Sequence, residues 1–506
     1  MRITNKIMQR NSVTNLNRNK VLSDKLNSQL TMEKKITRPS DDPVIAIRSL
    51  RLNTSITQLT QYYEKNVPDA SAWLKATEEA VEITTSVITD MYEQCTNGSK
   101  GSMTASDRQK VLESLKSLRE EVYSTGNTDY AGRYLFSGYR TDTPLTFENA
   151  TSQTYTITEQ LSTDNITEFT YVDTGDLTSL TKANAETGIT TEEKDVASYD
   201  VYRIQLAYSA LDEGATPTIQ YYKADGTLAT ITPTVESANT PAPNAYTNAD
   251  PDTAYFIPET GEVVLGENLY KEIVSVKDDV TTDDINEGEI RITYDKTEWN
   301  KNDLIPQHYF ACESEGVKYN QNFLTNATND EDAQVITYDV GLNQSLRVNT
   351  TAGEVYVPEI ARNVDDLIKV ADEAVKMQEI VDTLESMVDA DPTNETLQER
   401  LNAANKAMTY LSDRMQKTFE HGITQMQKHL DTVNQALTQI GSRGQRLDLI
   451  SNRLGSQQTT FKTLSSENED LDIAEVEVQL SSAELSYEAS LMAIGKIAQT
   501  TLLNYL

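Results

Sequence analysis

The sequence predicts a mainly α-helical chain that carries a β-rich insertion. Three observations lead there: a long apolar stripe at helical spacing toward each end, a middle region of short β-branched and aromatic runs, and a charge distribution that sets this middle apart. The stripe toward the C-terminus runs Leu397, Leu401, Ala404, Met408, Leu411, Met415, Phe419, Ile423, Met426, Leu430, Val433, Leu437 and Ile440. It resumes after Gly444 at Leu447, Ile450 and Leu454. Steps of three and four place these residues on one face of a long helix.

The N-terminal counterpart follows Pro43 and carries Leu52, Ile56, Leu59, Tyr63, Ala70, Leu74, Thr77, Val81, Thr84, Ile88, Met91 and Cys95. Two stripes of similar length, far apart in sequence, can bury their apolar faces by lying side by side. Pro68 lies inside this segment, and the missing backbone donor predicts a kink or break near Val67. Shorter helices are expected over Val111, Leu115, Leu118 and Val122, closed by Gly126, and from about Val364 to Val388. Asp391 and Pro392 read as the cap and first residue of the long C-terminal helix.

Between about residues 150 and 350 the runs EFTYV (168–172), YDVYRIQL (199–206), TIQYY (218–222) and IRITY (290–294) read as strands. Asp225-Gly226 supplies a hairpin turn between two of them. Residues 151–350 hold 11 Lys+Arg against 35 Asp+Glu, and so carry −24 of the formal −34. A solvated middle with outer parts that approach other protein follows from that asymmetry. The acidity disfavours nucleic acid and anionic membrane surfaces as partners.

The chain ends form a third level. Ile3, Ile7, Val13, Leu16, Leu22, Leu26 and Leu30 recur at rough helical spacing. The last residues carry Ile473, Val476, Leu480, Ala483, Tyr487, Leu491, Ile494, Ala498, Leu502 and Tyr505. Helix-start signals set each end off from its long helix. On one side these involve Arg38, Pro39, Ser40, Asp41, Asp42 and Pro43; on the other, Asp472 and Glu475 stand at capping-box spacing. Both are read as hinges, with Arg38 and Arg48 expected to form a charge network with Asp41 and Asp42. The division predicted is a terminal helical part (1–42 and 470–506), a long-helix part with a β-hairpin (43–150 and 352–469), and an acidic β-rich part (151–351).

Isolated amphipathic helices are marginal in water, and their stability comes from burying the apolar face. Each buried Leu or Ile contributes roughly 1.5–3 kcal/mol, so Ile3, Ile7, Leu16, Leu22, Leu26, Leu30, Val476, Leu480, Tyr487, Leu491, Ile494, Leu502 and Tyr505 are candidate assembly contacts. The alternative is that the two ends bury their stripes only on each other. Apolar ends and an acidic, solvated middle suit the subunit of a tubular polymer built by heterologous contacts.

Specific motifs add a family resemblance. TRPSDDPVIAIRSLRL (37–52), GRYLFSGYRTDTPLTF (132–147), IGSRGQRLDLISNRL (440–454) and the closing LDIAEVEVQLSSAELSYEASLMAIGKIAQTTLLNYL (471–506) resemble the flagellin superfamily and, within it, the type 3 hook-associated proteins. Asn504 stands where that group's closing Leu-Leu-Asp-Tyr-Leu has aspartate. The resemblance covers about residues 1–150 and 355–506 and leaves the middle unmatched. It implies a long antiparallel helical rod and a structural role joining the flagellar hook to the filament. The partners implied are hook-associated protein type 1, flagellin, further copies in a ring, and an export chaperone. It also implies unfolded export through the type III apparatus to the cell exterior, consistent with an N-terminus lacking the apolar run of a secretory signal. Filament flagellins share the outer plan and are the alternative, and an enzyme carried by the insertion is a further one.

Catalytic signatures are weak. His308, His421 and His429 are the only histidines, and the last two lie eight apart, too far for paired helical metal ligands. Cys95 falls on the apolar stripe as a small hydrophobe, and far-separated Cys312 implies no disulfide framework. The acidic run DDVTTDDINEGE (278–289) lacks the ligand order of a calcium loop. Asn97-Gly98-Ser99 is a sequon that also reads as a turn between helices. No cofactor, metal or catalytic residue is expected.

Overall fold

A computed structural model describes residues 5–100, 105–214, 216–247, 249–276, 289–324 and 334–503. Helix α1 spans Asn5–Met32 and α2 spans Pro43–Gln61. One π-helical turn, Tyr62–Asn66, leads directly into α3 at Val67–Gly98. Helix α4 (Ala105–Gly126) precedes a tight hairpin of β1 (Asp129–Tyr130) and β2 (Arg133–Tyr134). Then follow β3 (Thr151–Ser162), β4 (Ile166–Asp173), β5 (Ala197–Gln205), β6 (Thr218–Tyr222), β7 (Leu228–Ile231) and β8 (Thr234–Val235). Next come β9 (Ala254–Ile257), β10 (Glu262–Leu265), α5 (Glu267–Val274), β11 (Glu289–Trp299), β12 (Ala311–Ser314) and β13 (Val317–Tyr319). The hairpin β14 (Thr337–Gly341) and β15 (Gln344–Arg347) leads to α6 (Glu359–Ala390), α7 (Glu395–Glu469) and α8 (Ile473–Leu503).

The chain divides into two compact units, one of residues 1–70, 338–346 and 445–506, the other of residues 71–337 and 347–444. The larger unit holds two sheets. Five strands are ordered β4-β5-β10-β9-β8, and six are ordered β13-β12-β3-β11-β6-β7. All their pairings are antiparallel except β8 with β9. Alternation along β3 and β11 turns Ile157, Ile290, Ile292 and Tyr294 inward. Three of the four predicted strand runs lie within strands, and the fourth, 199–206, overruns β5 only by Leu206. The Asp225-Gly226 turn also forms between β6 and β7: Gly226 N donates to Lys223 O at 2.8 Å, and Gly226 takes the left-handed position (φ +79°) that follows the turn in a three-residue hairpin loop.

In the helical part of this unit the predicted stripes are buried: Leu74, Val81, Ile88, Met91 and Cys95 of α3, and Leu411, Met415, Phe419 and Met426 of α7. Gly98 ends α3 at a close approach, because a Cβ there would lie 2.3 Å from Cε1 of Phe419. Its smallness is thus set by packing against the ring, in addition to any turn that follows. The GRYLFSG segment is buried at Leu135, Phe136 and Ser137. The Phe136 ring meets Tyr356 edge-on at 4.8 Å, and the Tyr356 hydroxyl lies 3.0 Å from Thr84 Oγ1. The motif therefore docks on α3 and on the segment entering α6.

Two sequence expectations change. Of the kink or break expected near Val67 the break does not occur: the irregularity at that place is a widened turn before Pro68, in which Val67 N–H donates to the Tyr62 carbonyl five residues back. This extra residue in the turn absorbs the absent proline donor and the clash of its ring with the preceding turn. At the other long helix, Asp391 is not the cap. Its Oδ1 accepts from Thr393 N at 3.2 Å and Thr393 Oγ1 at 2.8 Å, a local turn, and Asn394 caps α7 by accepting from Leu397 N at 3.3 Å.

Candidate assembly surface

The predicted hinge residues lie in the smaller unit, where the segment after α1 meets the segment before α8. Asp42 has extended backbone (φ −150°, ψ 102°), and its Oδ1 accepts from Val44 N at 2.9 Å and Ile45 N at 3.2 Å, with Pro43 as the first helical residue. It is the N-cap that the sequence predicts. Asp41 turns the other way: its Oδ2 accepts from Arg38 N at 2.9 Å, Thr37 Oγ1 at 3.0 Å and Thr37 N at 3.1 Å. These bonds, the Arg38 N–H first, hold its carboxyl below the usual range. Pro39 and Ser40 fill the exposed turn between them.

The expected charge network takes a different form. Among the described residues no ion pair joins the Arg38 or Arg48 guanidinium to Asp41 or Asp42, and Arg38 contributes through its backbone. Backbone donors three or four residues away are fixed by the turn, whereas a long exposed arginine would lose rotamer freedom to pair. The charge pairing sits one step away, where Lys34 Nζ reaches Asp470 Oδ1 at 2.6 Å and Glu469 Oε2 at 3.5 Å. The bond to Asp470 raises the Lys34 pKa, and the same bond lowers that of Asp470. With both side chains about 45% exposed, this pair contributes at most about 1 kcal/mol. Lys35 N donates to Glu469 O at 2.7 Å and Leu471 N to Glu33 O at 3.1 Å, so the two connecting segments are stitched by backbone as well.

On the far side Asp472 Oδ1 accepts from Glu475 N at 3.2 Å, giving the cap of α8. The Glu475 carboxylate accepts from Gln479 Nε2 at 3.0 Å, so only the Asp472 half of the capping box is made. Replacing Asp42 by alanine should destabilise the first turn of α2 by about 1 kcal/mol. Amide exchange of Val44 and Ile45 is the readout, and rates equal to the parent protein would show that the cap is dispensable.

Beyond the connecting segments α1 and α8 pack together. Leu26, Val476 and Ala483 are buried, with Leu471 and Leu480 partly buried against them. Asn19 Nδ2 donates to Ser490 Oγ at 3.3 Å. Leu16, Leu30, Tyr487 and Ile494 are half-buried, whereas Ile7, Leu22 and Leu491 are exposed. Ile3 and Tyr505 lie outside the described residues, as does the side chain of Leu502. The mutual packing of the two helices thus accounts for part of the stripe only.

A second apolar face of α8 escaped the sequence reading. Val478, Leu485 and Met492 are 70%, 69% and 69% exposed, and their spacing of seven aligns them along one side of the helix. The repeat is present in the sequence, masked by the more continuous stripe beside it. Val44, Ile47 and Leu50 form a similar exposed row on α2. Clustered large apolar side chains of this kind mark interaction surfaces.

Side-chain chemistry elsewhere is muted. Burial pushes both cysteine thiols up to about 12, far from a reactive thiolate. Burial likewise lowers His308 and His429 to about 4; His308 Nε2 lies 2.9 Å from Pro144 O and His429 Nε2 lies 3.1 Å from Asn363 Nδ2. His429 is therefore a buried polar residue on α7. Most of the acidic run 278–289 lies outside the described residues. No described helix is long and apolar enough to cross a membrane, and no described group of His, Cys, Asp and Glu is arranged to hold a metal ion.

Residues 3–141 match the family model of the bacterial flagellin N-terminal helical region. Flagellar hook-associated protein 3 of Salmonella typhimurium is 28% identical over 152 residues, covering 30% of this chain and 47% of that protein. Its Escherichia coli counterpart is 26% identical over 144 residues, covering 28% and 45%. The chain thus spans about half the length of the curated relatives it matches. Among solved structures, a putative flagellar hook-associated protein from Vibrio parahaemolyticus aligns over 85% of this chain and all of that one, with 13% identity and a TM-score of 0.34.

Proposed function

From the premise that this chain carries a flagellin-type N-terminal region and is similar to hook-associated protein 3, we propose that it is a structural subunit of the bacterial flagellum at the junction of hook and filament. The observation that carries the reading is the two-sided α8. One side packs on α1, and the other presents Val478, Leu485 and Met492 to solvent. Burying three such side chains on a neighbouring subunit is worth several kcal/mol, about 1.5–3 each.

In this reading the segments 1–42 and 470–506 form the assembly part, 43–150 with 352–469 the long-helix part, and 151–351 the outward, acidic part. Copies arrange in a ring, with hook-associated protein type 1 on one side and flagellin on the other. Delivery by an export chaperone and the type III apparatus places the subunit outside the cell. The chain acts by packing rather than by catalysis.

Deleting the gene should abolish filaments while flagellin is shed into the medium, seen by electron microscopy and by protein content of the culture fluid. Complementation with the double variant Val478→Asp, Leu485→Asp should fail to restore filaments although the variant is still exported. Intact filaments in the deletion strain would reject the junction role. Full complementation by the double variant would reject the role given to this face.

A further inference from the structure

In the unit of residues 71–337 and 347–444, a cleft of about 520 Å³ lies beside β4, α6 and α7. Its size is typical of small-molecule sites, which span about 300–1,000 Å³. Two features make it unlike the surrounding surface. The first is aromatic: Tyr171 stacks on Tyr246 with centroids 4.6 Å apart and planes 5° from parallel, while Tyr171 itself stays only half-buried. Part of its ring surface is left for a ligand.

The second feature is charge. Lys369, Lys376 and Arg414 line the cleft with a single acid, Glu373. That acid is already engaged, accepting from Arg414 Nη1 at 2.7 Å. Arg414 is 4% exposed, lies over the Phe169 ring at 4.4 Å, and its Nε is buried without a hydrogen-bond partner among the described residues. Lys369 reaches Glu262 only at 3.7 Å, and Lys376 is exposed and forms no ion pair within 4.0 Å among the described residues. Three cations against one acid that is itself paired with Arg414 leave an excess of positive charge in the lining, which favours a negative group.

Neutral hydrogen-bonding groups complete the lining, with Thr174, Thr178 and Asn239 at its edge. A simple anion would leave the ring face and these groups unused, and a neutral sugar would leave the lysines unanswered. We propose that the cleft binds a sugar bearing a carboxylate, of the uronic acid type. Its ring stacks on Tyr171, its carboxylate pairs with Lys376 and Lys369, and its hydroxyls meet the threonines and Asn239. The inference stands independently of the junction role.

The test is calorimetric or saturation-transfer titration of the full chain with D-glucuronate, glucose and acetate. Glucuronate should bind, with glucose and acetate each at least about tenfold weaker, since one lost charge pair or stacking face is worth about that factor. Lys376→Glu should weaken glucuronate at least about tenfold without changing the circular dichroism, because Lys376 is exposed, and Tyr171→Ala should do the same. No glucuronate binding, acetate binding equally well, or an unchanged affinity in Lys376→Glu would each overturn the proposal.

Discussion

Replacing Arg203 by alanine is expected to destabilise the β-rich unit by roughly 3–5 kcal/mol, the cost of leaving buried charge unpaired. Arg203 on β5 donates from Nη1 to Glu262 Oε1 at 2.7 Å and from Nη2 to Asp366 of α6. Its side chain is 7% exposed and that of Glu262 is 1% exposed. Tyr246 Oη donates to the second Glu262 oxygen at 2.7 Å, and Gln205 Nε2 donates to Asp366 at 2.9 Å. Burial opposes the charged forms. The two carboxylates nonetheless keep Arg203 firmly protonated, and Arg203 with Lys369 holds Glu262 well below the usual range. Removing the guanidinium takes the ion-pair partner from Asp366 and the nearer of two cations from Glu262, whose other, Lys369, stands at 3.7 Å, and it removes a cation stacked on the Phe169 ring at 4.0 Å. Urea unfolding followed by tryptophan fluorescence gives the measurement, since Trp73 and Trp299 are both buried in this unit. A loss under 1 kcal/mol would show that water reaches the cluster. Replacing Arg203, Glu262 and Asp366 together by apolar residues of similar volume should recover much of the loss.

The second large effect concerns pH. Glu159 on β3 is 2% exposed and accepts from Ala207 N at 2.9 Å and from the Tyr294 hydroxyl. Burial outweighs these bonds and pushes its carboxyl up to about 7 from an ordinary 4.5. The folded state therefore holds this proton more tightly than the unfolded chain. Its stabilising contribution is complete below about pH 4.5 and is lost as pH rises through 7, amounting to about 3 kcal/mol at 1.36 kcal/mol per pKa unit. Glu159→Gln keeps an acceptor for both donors and cannot ionise. It should match the parent protein near pH 5 and exceed it by up to about 3 kcal/mol at pH 8.5. Buried His308 and His429 act in the opposite sense, since their lowered values remove stability as pH falls from about 6.5 toward 4. Taking the difference between variant and parent at each pH cancels their contribution. A pH-independent difference would show that Glu159 stays ionised throughout.

Much of the helical architecture was legible because it rests on local rules. The stripe from Leu397 to Leu454 is one continuous helix face, and Asp42-Pro43 and Asp472 cap where their side chains can reach the next turn's N–H groups. The strand runs and the Asp225-Gly226 turn were legible for the same reason. What failed depended on competition or distance. Asp391 had two possible uses for its carboxylate and took the local turn, leaving the cap to Asn394. Pro68 marks the place of an irregularity in the sequence but not its form, because the backbone has a wider turn available as well as a break. Arg203 and Asp366 are separated by 163 residues, and nothing in the periodicity of β5 or α6 announces that they meet. The exposed row Val478, Leu485 and Met492 was legible in principle, since its spacing of seven needs only the sequence.

The burial of Cys95 and Cys312 has a practical consequence. Thiols pushed up to about 12 and enclosed by protein react slowly with maleimides and other alkylating labels, which attack the thiolate. The folded chain is therefore a nearly blank background for site-specific attachment. A cysteine substituted at Leu485 would carry a fluorophore or spin label at a position of choice, and its shielding as protein concentration rises would test the contact proposed for this face. Labelling in urea would expose both native thiols, giving a chemical count of how much of the chain has unfolded.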